Sequence, residues 1–190
     1  MITLHNAVFG WFQRAFENWF LGLAARLIFA GTLFMYFYGS AKTKVGEGLA
    51  GLGEIQDGAY IQILPQVMEQ VGYDASQIPL WPMGWMVYAG TYAEFILPVL
   101  IVLGFMTRIA AVGMLVFIAV QSYVDIAFHS VDAATIGAWF DNQPGSVIAD
   151  QRAFWAFLLL YLALRGAGAI SLDRLFGGRG RDEDDYDDYY

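Results

Sequence analysis

Glu94 is the residue whose chemistry most needs explaining. It is the one formal charge in Gly84 to Gly104, GWMVYAGTYAEFILPVLIVLG. A carboxylate in the middle of an apolar helix crossing hydrocarbon costs roughly 3 kcal/mol or more, so it needs a partner, a proton or a task. Desolvation favours its neutral form, and a nearby guanidinium favours the carboxylate. Arg26, inside the first apolar stretch, is a candidate partner; it could also snorkel to the headgroups or touch a polar ligand. Tyr92 stands two positions before Glu94, on a different face, and completes the first candidate site. Two readings of Glu94 stand side by side: a structural carboxyl holding helices together, or a proton-accepting or ligand-binding group.

A second constellation is Gln121, Asp125, His129 and Arg152. Asp125 ends one apolar segment and Arg152 opens the next, so the two can share a depth. Gln121 lies one turn below Asp125 on the same face and extends a polar track inward. One reading is an interfacial ion pair with an exposed His129. The other is a proton path or a ligand-facing site, since histidine titrates near neutrality. Asp125 and His129 could supply two metal ligands, too few for a metal site, and none is assigned. His5 belongs to the opposite side, which rules out a bis-histidine haem.

These residues must be positioned by membrane helices. The chain has 190 residues, 58% hydrophobic and 15% charged, well above the apolar share of a soluble domain. Four segments are apolar enough to span, about 21–39, 84–104, 107–127 and 152–169, and a helix of such length crosses a core of roughly 30 Å. The fold class is therefore all-α, a four-transmembrane-helix bundle. The turn at Phe105 to Arg108 is so short that its flanking helices must be antiparallel neighbours. Absence of cysteine excludes disulfides, thiol catalysis and iron–sulfur clusters. Nothing points to nucleic-acid binding.

Residues 1–20 place Phe9, Phe12, Phe16, Trp19 and Phe20 on one helical face, opposite Gln13, Arg14, Glu17 and Asn18, which suggests an amphipathic helix lying on the interface. Gly46, Gly48, Gly51 and Gly53 read as a flexible linker. Tyr60 to Val71 is a short amphipathic helix kinked near Pro65, in a loop expected to cap the bundle mouth. Residues 177–190 form an acidic tail, expected to be disordered, that holds six of the eighteen acids. Basic residues favour cytoplasmic termini: Arg14, Arg108, Arg165, Arg174, Arg179 and Arg181 lie on that side, against Lys42, Lys44 and Arg152 on the other.

Three stretches carry a family resemblance. They are ARLIFAGTLFMYFYGSAK in the first span, AEFILPVLIVLGFMTRIAA across the central turn, and RGAGAISLDRLF after the last span. With Glu94, Gly104, Thr107 and Arg108 at the turn, and Gly166, Gly168, Ser171, Leu172 and Asp173 at the end, the chain resembles the DoxX family of small four-span bacterial membrane proteins. The resemblance covers 26–176 and implies a bacterial cytoplasmic (inner) membrane, a redox context and quinone as the associated cofactor. The first functional reading is a subunit of a redox or respiratory, quinone-linked membrane system, with quinone near Glu94 and Arg26. The alternative is a noncatalytic accessory subunit of a larger membrane complex. A small-solute or metal-stress transporter lacks the internal repeat and broken helices expected of one. Partners are the bilayer and other membrane subunits. Whether the chain is an enzyme stays open.

Overall fold

A computed structural model describes residues 2–16 and 19–177. Helix α1 (Ile2–Phe16) precedes the first span, α2 (Phe20–Lys42). Two short helices, α3 (Asp57–Ile63) and α4 (Pro65–Gln70), occupy the first long connection. The remaining spans are α5 (Leu80–Leu103), α6 (Thr107–Ala127) and α7 (Val147–Arg165), followed by α8 (Leu172–Gly177). Glu17, Asn18 and the acidic tail beyond Gly177 lie outside the described residues.

The spans run alternately up and down. α2 packs on α5, α5 on α6, α6 on α7, and α7 returns to α2, closing a four-membered ring. Its axis is filled by Phe29, Leu33, Phe37, Ile101, Met114, Leu159 and Leu162, with Ala110 and Ala111 allowing close approach. The buried shares of the four span windows are only 33%, 28%, 22% and 17%. Most of each helix therefore faces outward, and that outer surface is apolar: Leu27, Ile28, Ile96, Ile109, Val116, Phe157 and Leu164 are all exposed. Water would not tolerate so much apolar surface, whereas lipid does. The protein is an integral membrane protein.

Helices α1 and α8 and the central turn share one end of the bundle, here the terminal end. The connections 43–79 and 128–146 share the other, the loop end. The Gly-rich segment at the loop end differs from the expected linker. Gly46 N–H donates to Gly51 O at 2.9 Å and to Glu54 O at 3.0 Å, and Gln56 N–H donates to Lys44 O at 2.9 Å. A Cβ built on Gly51 would lie 2.3 Å from the Gly46 carbonyl carbon, so the segment is a folded loop that glycine alone permits. The Tyr60–Val71 segment is two helices, broken where Leu64 leaves helical geometry before Pro65. This connection rests on α5, where Tyr92 O–H donates to Leu52 O at 2.9 Å.

Candidate functional site

The intramembrane acid has a partner, and it is not Arg26. Glu94 Oε2 lies 2.6 Å from Lys44 Nζ, with side-chain exposures of 2% and 6%. The geometry follows from helix direction. Side chains tilt toward the helix N-terminus, so Glu94 reaches toward the loop end, where α5 begins. Lys44, just past the end of α2, reaches back in. Its ammonium also donates to Ser40 Oγ at 2.8 Å and, at 3.4 Å, to Ser40 O. Thr91, one turn from Glu94, is buried, and its hydroxyl has no partner. Tyr92 points away, to Leu52. Glu94 and Tyr92 thus belong to different surroundings.

Arg26 lies near the terminal end, where it serves the backbone. Nε donates to Ile101 O at 3.0 Å and Nη2 to Val102 O at 2.7 Å; Nη1 donates to Ala167 O at 3.1 Å and Ile170 O at 2.5 Å. The first two carbonyls lie in the last turn of α5, where Ile101 O also accepts from Gly104 N–H at 3.1 Å. The others belong to the turn after α7. One guanidinium therefore joins three segments. Beside it, Gly104 adopts φ +68°, and a Cβ there would lie 2.7 Å from Arg26 Cζ and 2.6 Å from Ser171 Cβ. Asp173 supplies the other half of the knot. Its carboxylate accepts from Met106 N–H at 2.6 Å and Thr107 N–H at 2.9 Å, while its own N–H donates to Gly104 O at 2.8 Å. It caps α6 from the far end of the sequence.

The second constellation assembles in part. Arg152 Nη2 donates to Asp125 Oδ2 at 2.6 Å, and Nη1 donates to Ser122 Oγ at 2.8 Å. Arg152 is 5% exposed, and its Nε has no partner. Gln121 turns to another neighbour: its Nε2 donates to Tyr36 OH at 3.2 Å, leaving a buried Oε1 without a partner. His129 Nε2 lies 3.2 Å from Gln62 O, which ties it to α3. Ser122 and Arg152 form the polar floor of an open groove between α6 and α7, about 520 Å³, walled by Leu115, Ile118, Ala119, Ala153, Ala156 and Trp139. That volume lies within the range of small-molecule sites, roughly 300–1,000 Å³. The arrangement places a guanidinium paired with a carboxylate, its Nε buried without a partner, along an apolar slot.

The model of the DoxX family matches residues 21–129, more than half of the chain. The chain belongs to the DoxX family. No curated protein and no solved structure matches it. The DoxX match runs from the start of α2 to His129 and holds Arg26, Lys44, Glu94, Gly104 and Thr107. Its partners in the knot, Ala167, Ile170 and Asp173, lie beyond the matched residues. The two DoxX-like signatures quoted from the sequence, the central turn and the ending, are thus two sides of one contact.

Two residues of this DoxX protein escaped the sequence reading. Lys44 reads as an interfacial flank like Lys42, and only its position four residues after Ser40 hints at an inward path. Ser122 reads as an ordinary small residue within a span, although it stands one position after Gln121 and anchors Arg152.

Proposed function

We propose that the protein is the membrane subunit of a quinone-linked redox system, and that the quinone headgroup docks in the α6–α7 groove. The observation that supports this most is Arg152, a buried guanidinium that lines an open apolar groove and whose Nε–H has no partner within the protein. A quinone ring presents carbonyl acceptors on an apolar body with an isoprenoid tail, and the groove matches each part. Arg152 would donate to a carbonyl and Ser122 would position Arg152. Asp125, a quarter exposed, stands where it would relay protons to the ring as the ring is reduced. The quinone supplies the two-electron chemistry, and with no cysteine in the chain the electron donor would be a partner subunit. In this reading both termini are cytoplasmic, the membrane is the bacterial inner membrane, and α1 lies on its inner surface. The basic residues support that orientation: Arg14, Arg108, Arg165 and Arg174 stand at the terminal end, against Lys42, Lys44 and Arg152 at the loop end, the last two paired with Glu94 and Asp125.

The test is binding of a short-tailed quinone to protein in nanodiscs, read by quenching of Trp139 with Trp139→Phe as the blank. Arg152→Gln should weaken binding by about tenfold or more, the scale of a hydrogen bond from a charged group. Unchanged binding in that variant, or none in the wild type, would reject the groove. A second reading, a noncatalytic accessory subunit, is favoured by the closure of Glu94 and Arg26 on their own chain. It predicts co-purification with a larger complex in mild detergent that survives both Glu94→Gln and Arg152→Gln.

A further inference from the structure

The α6–α7 groove has one wall that neither span supplies. Gly137, Ala138 and Trp139, from the connection 128–146, close it near the loop end. That connection is docked onto α7 at two points. Gly137 has φ +69°, and a Cβ built on it would run into the side chain of Ser146, so glycine is what lets the chain pass so close. Two residues on, the indole N–H of Trp139 donates at 2.8 Å to the carbonyl of Ala149, in the first turn of α7. The ring is therefore held in register with α7, and yet it is 68% exposed, so much of its surface is uncovered by its own chain.

Register decides what the ring can meet. Ala149 and Arg152 are three residues apart, which places them on one face of α7 and roughly 4.5 Å apart along its axis. The indole and the guanidinium thus stand within one helical turn of each other, beside the same groove. Around them α7 contributes methyl groups, from Ala149 and Ala153, which leave room for a flat body. Among the described residues that line the groove, Trp139 alone is aromatic. We propose that Trp139 is a stacking platform that sets the ring size the groove prefers: a fused two-ring naphthoquinone over a single-ring benzoquinone. This rests on the quinone reading above and adds a preference to it. A quinoid ring with its carbonyl at Arg152 fills the space below the indole, and a second fused ring overlaps the indole face. Offset aromatic faces attract beyond the area they bury. A single ring held at Arg152 leaves the indole bare. A tryptophan that served only as an interfacial anchor would give no ring preference of its own.

The test compares a naphthoquinone and a benzoquinone carrying the same short tail, each titrated calorimetrically into the full chain in nanodiscs. The wild type should bind the naphthoquinone more tightly. Trp139→Leu, which keeps an apolar side chain and removes the flat face, should weaken naphthoquinone binding by about fivefold, the scale of one aromatic pair. It should leave benzoquinone binding in place. Trp139→Phe should keep part of the preference, since it retains a ring and loses the N–H that pins it. Arg152→Gln should weaken both quinones alike and leave their ratio unchanged. Equal affinities in the wild type, or a ratio untouched by Trp139→Leu, would overturn the platform while the groove stands. Binding of neither quinone would overturn the platform and the groove together.

Discussion

The ammonium of Lys44 and the carboxylate of Glu94 lie 2.6 Å apart inside the bundle, near the loop end of the first two spans. Neither charge reaches water, so each exists because of the other. Desolvation of both costs several kcal/mol, and the attraction across a short gap in low dielectric offsets it.

Removing one partner therefore strands the other. Glu94→Gln should destabilise the bundle by about 3–5 kcal/mol, measured by reversible unfolding in micelles. Replacing the pair together, Lys44→Met with Glu94→Leu, should restore most of the loss. A double variant as unstable as the single one would mean that the pair does more than neutralise itself.

Asp173 caps α6 across the terminal end. Asp173→Ala frees the N–H groups of Met106 and Thr107 and should cost about 1 kcal/mol. Amide exchange at those two positions should accelerate, while exchange in the middle of α6 stays unchanged. Equal acceleration throughout the helix would argue for a global effect instead.

Gly104 is constrained twice, by φ +68° and by the atoms around it. Gly104→Ala adds left-handed backbone strain of about 1–2 kcal/mol and pushes on Arg26 and Ser171. Gly145→Ala is the control, since a Cβ there meets nothing within 4 Å. The first should lower the thermal midpoint of unfolding clearly, and the second should leave it in place.

Asp132 gives the loop end a pH dependence. The Thr135 backbone N–H, then its hydroxyl, hold the Asp132 carboxyl below the usual carboxylate range. A depressed folded pKa means that the cap contributes fully above the unfolded value of about 3.9 and is lost as pH falls through the folded one. Residues 133–136 should thus stay protected at neutral pH and open only in acid, read by local amide exchange. Asp132→Ala should remove that dependence.

Much of the fold was legible because lipid imposes length and apolarity on each span. The third span, Thr107–Ala127, begins and ends where hydropathy places it. The fourth was expected at 152–169 but runs Val147–Arg165. Its start is set by Ser146, whose Oγ accepts from Asp150 N–H at 3.2 Å and donates to Asp150 Oδ2 at 2.8 Å. That spacing suits a π turn and differs from the familiar capping pattern. Its end is set by Gly166 at φ +80°. The Asp125–Arg152 pair was legible because both residues sit at span ends facing one interface. The partners of Glu94 and Arg26 were not, since sequence gives depth along a helix and says little about which neighbour it faces. Arg26 found carbonyls, which every residue carries and no composition reveals.

The reach of Arg26 also bears on how the chain is made. During synthesis from the N-terminus, its guanidinium enters the bilayer with the first span, long before Ala167 and Ile170 have been translated. Half of its four carbonyl acceptors come from α5 and half from the segment after α7. A nascent product halted before the fourth span leaves that charge with only half of its acceptors.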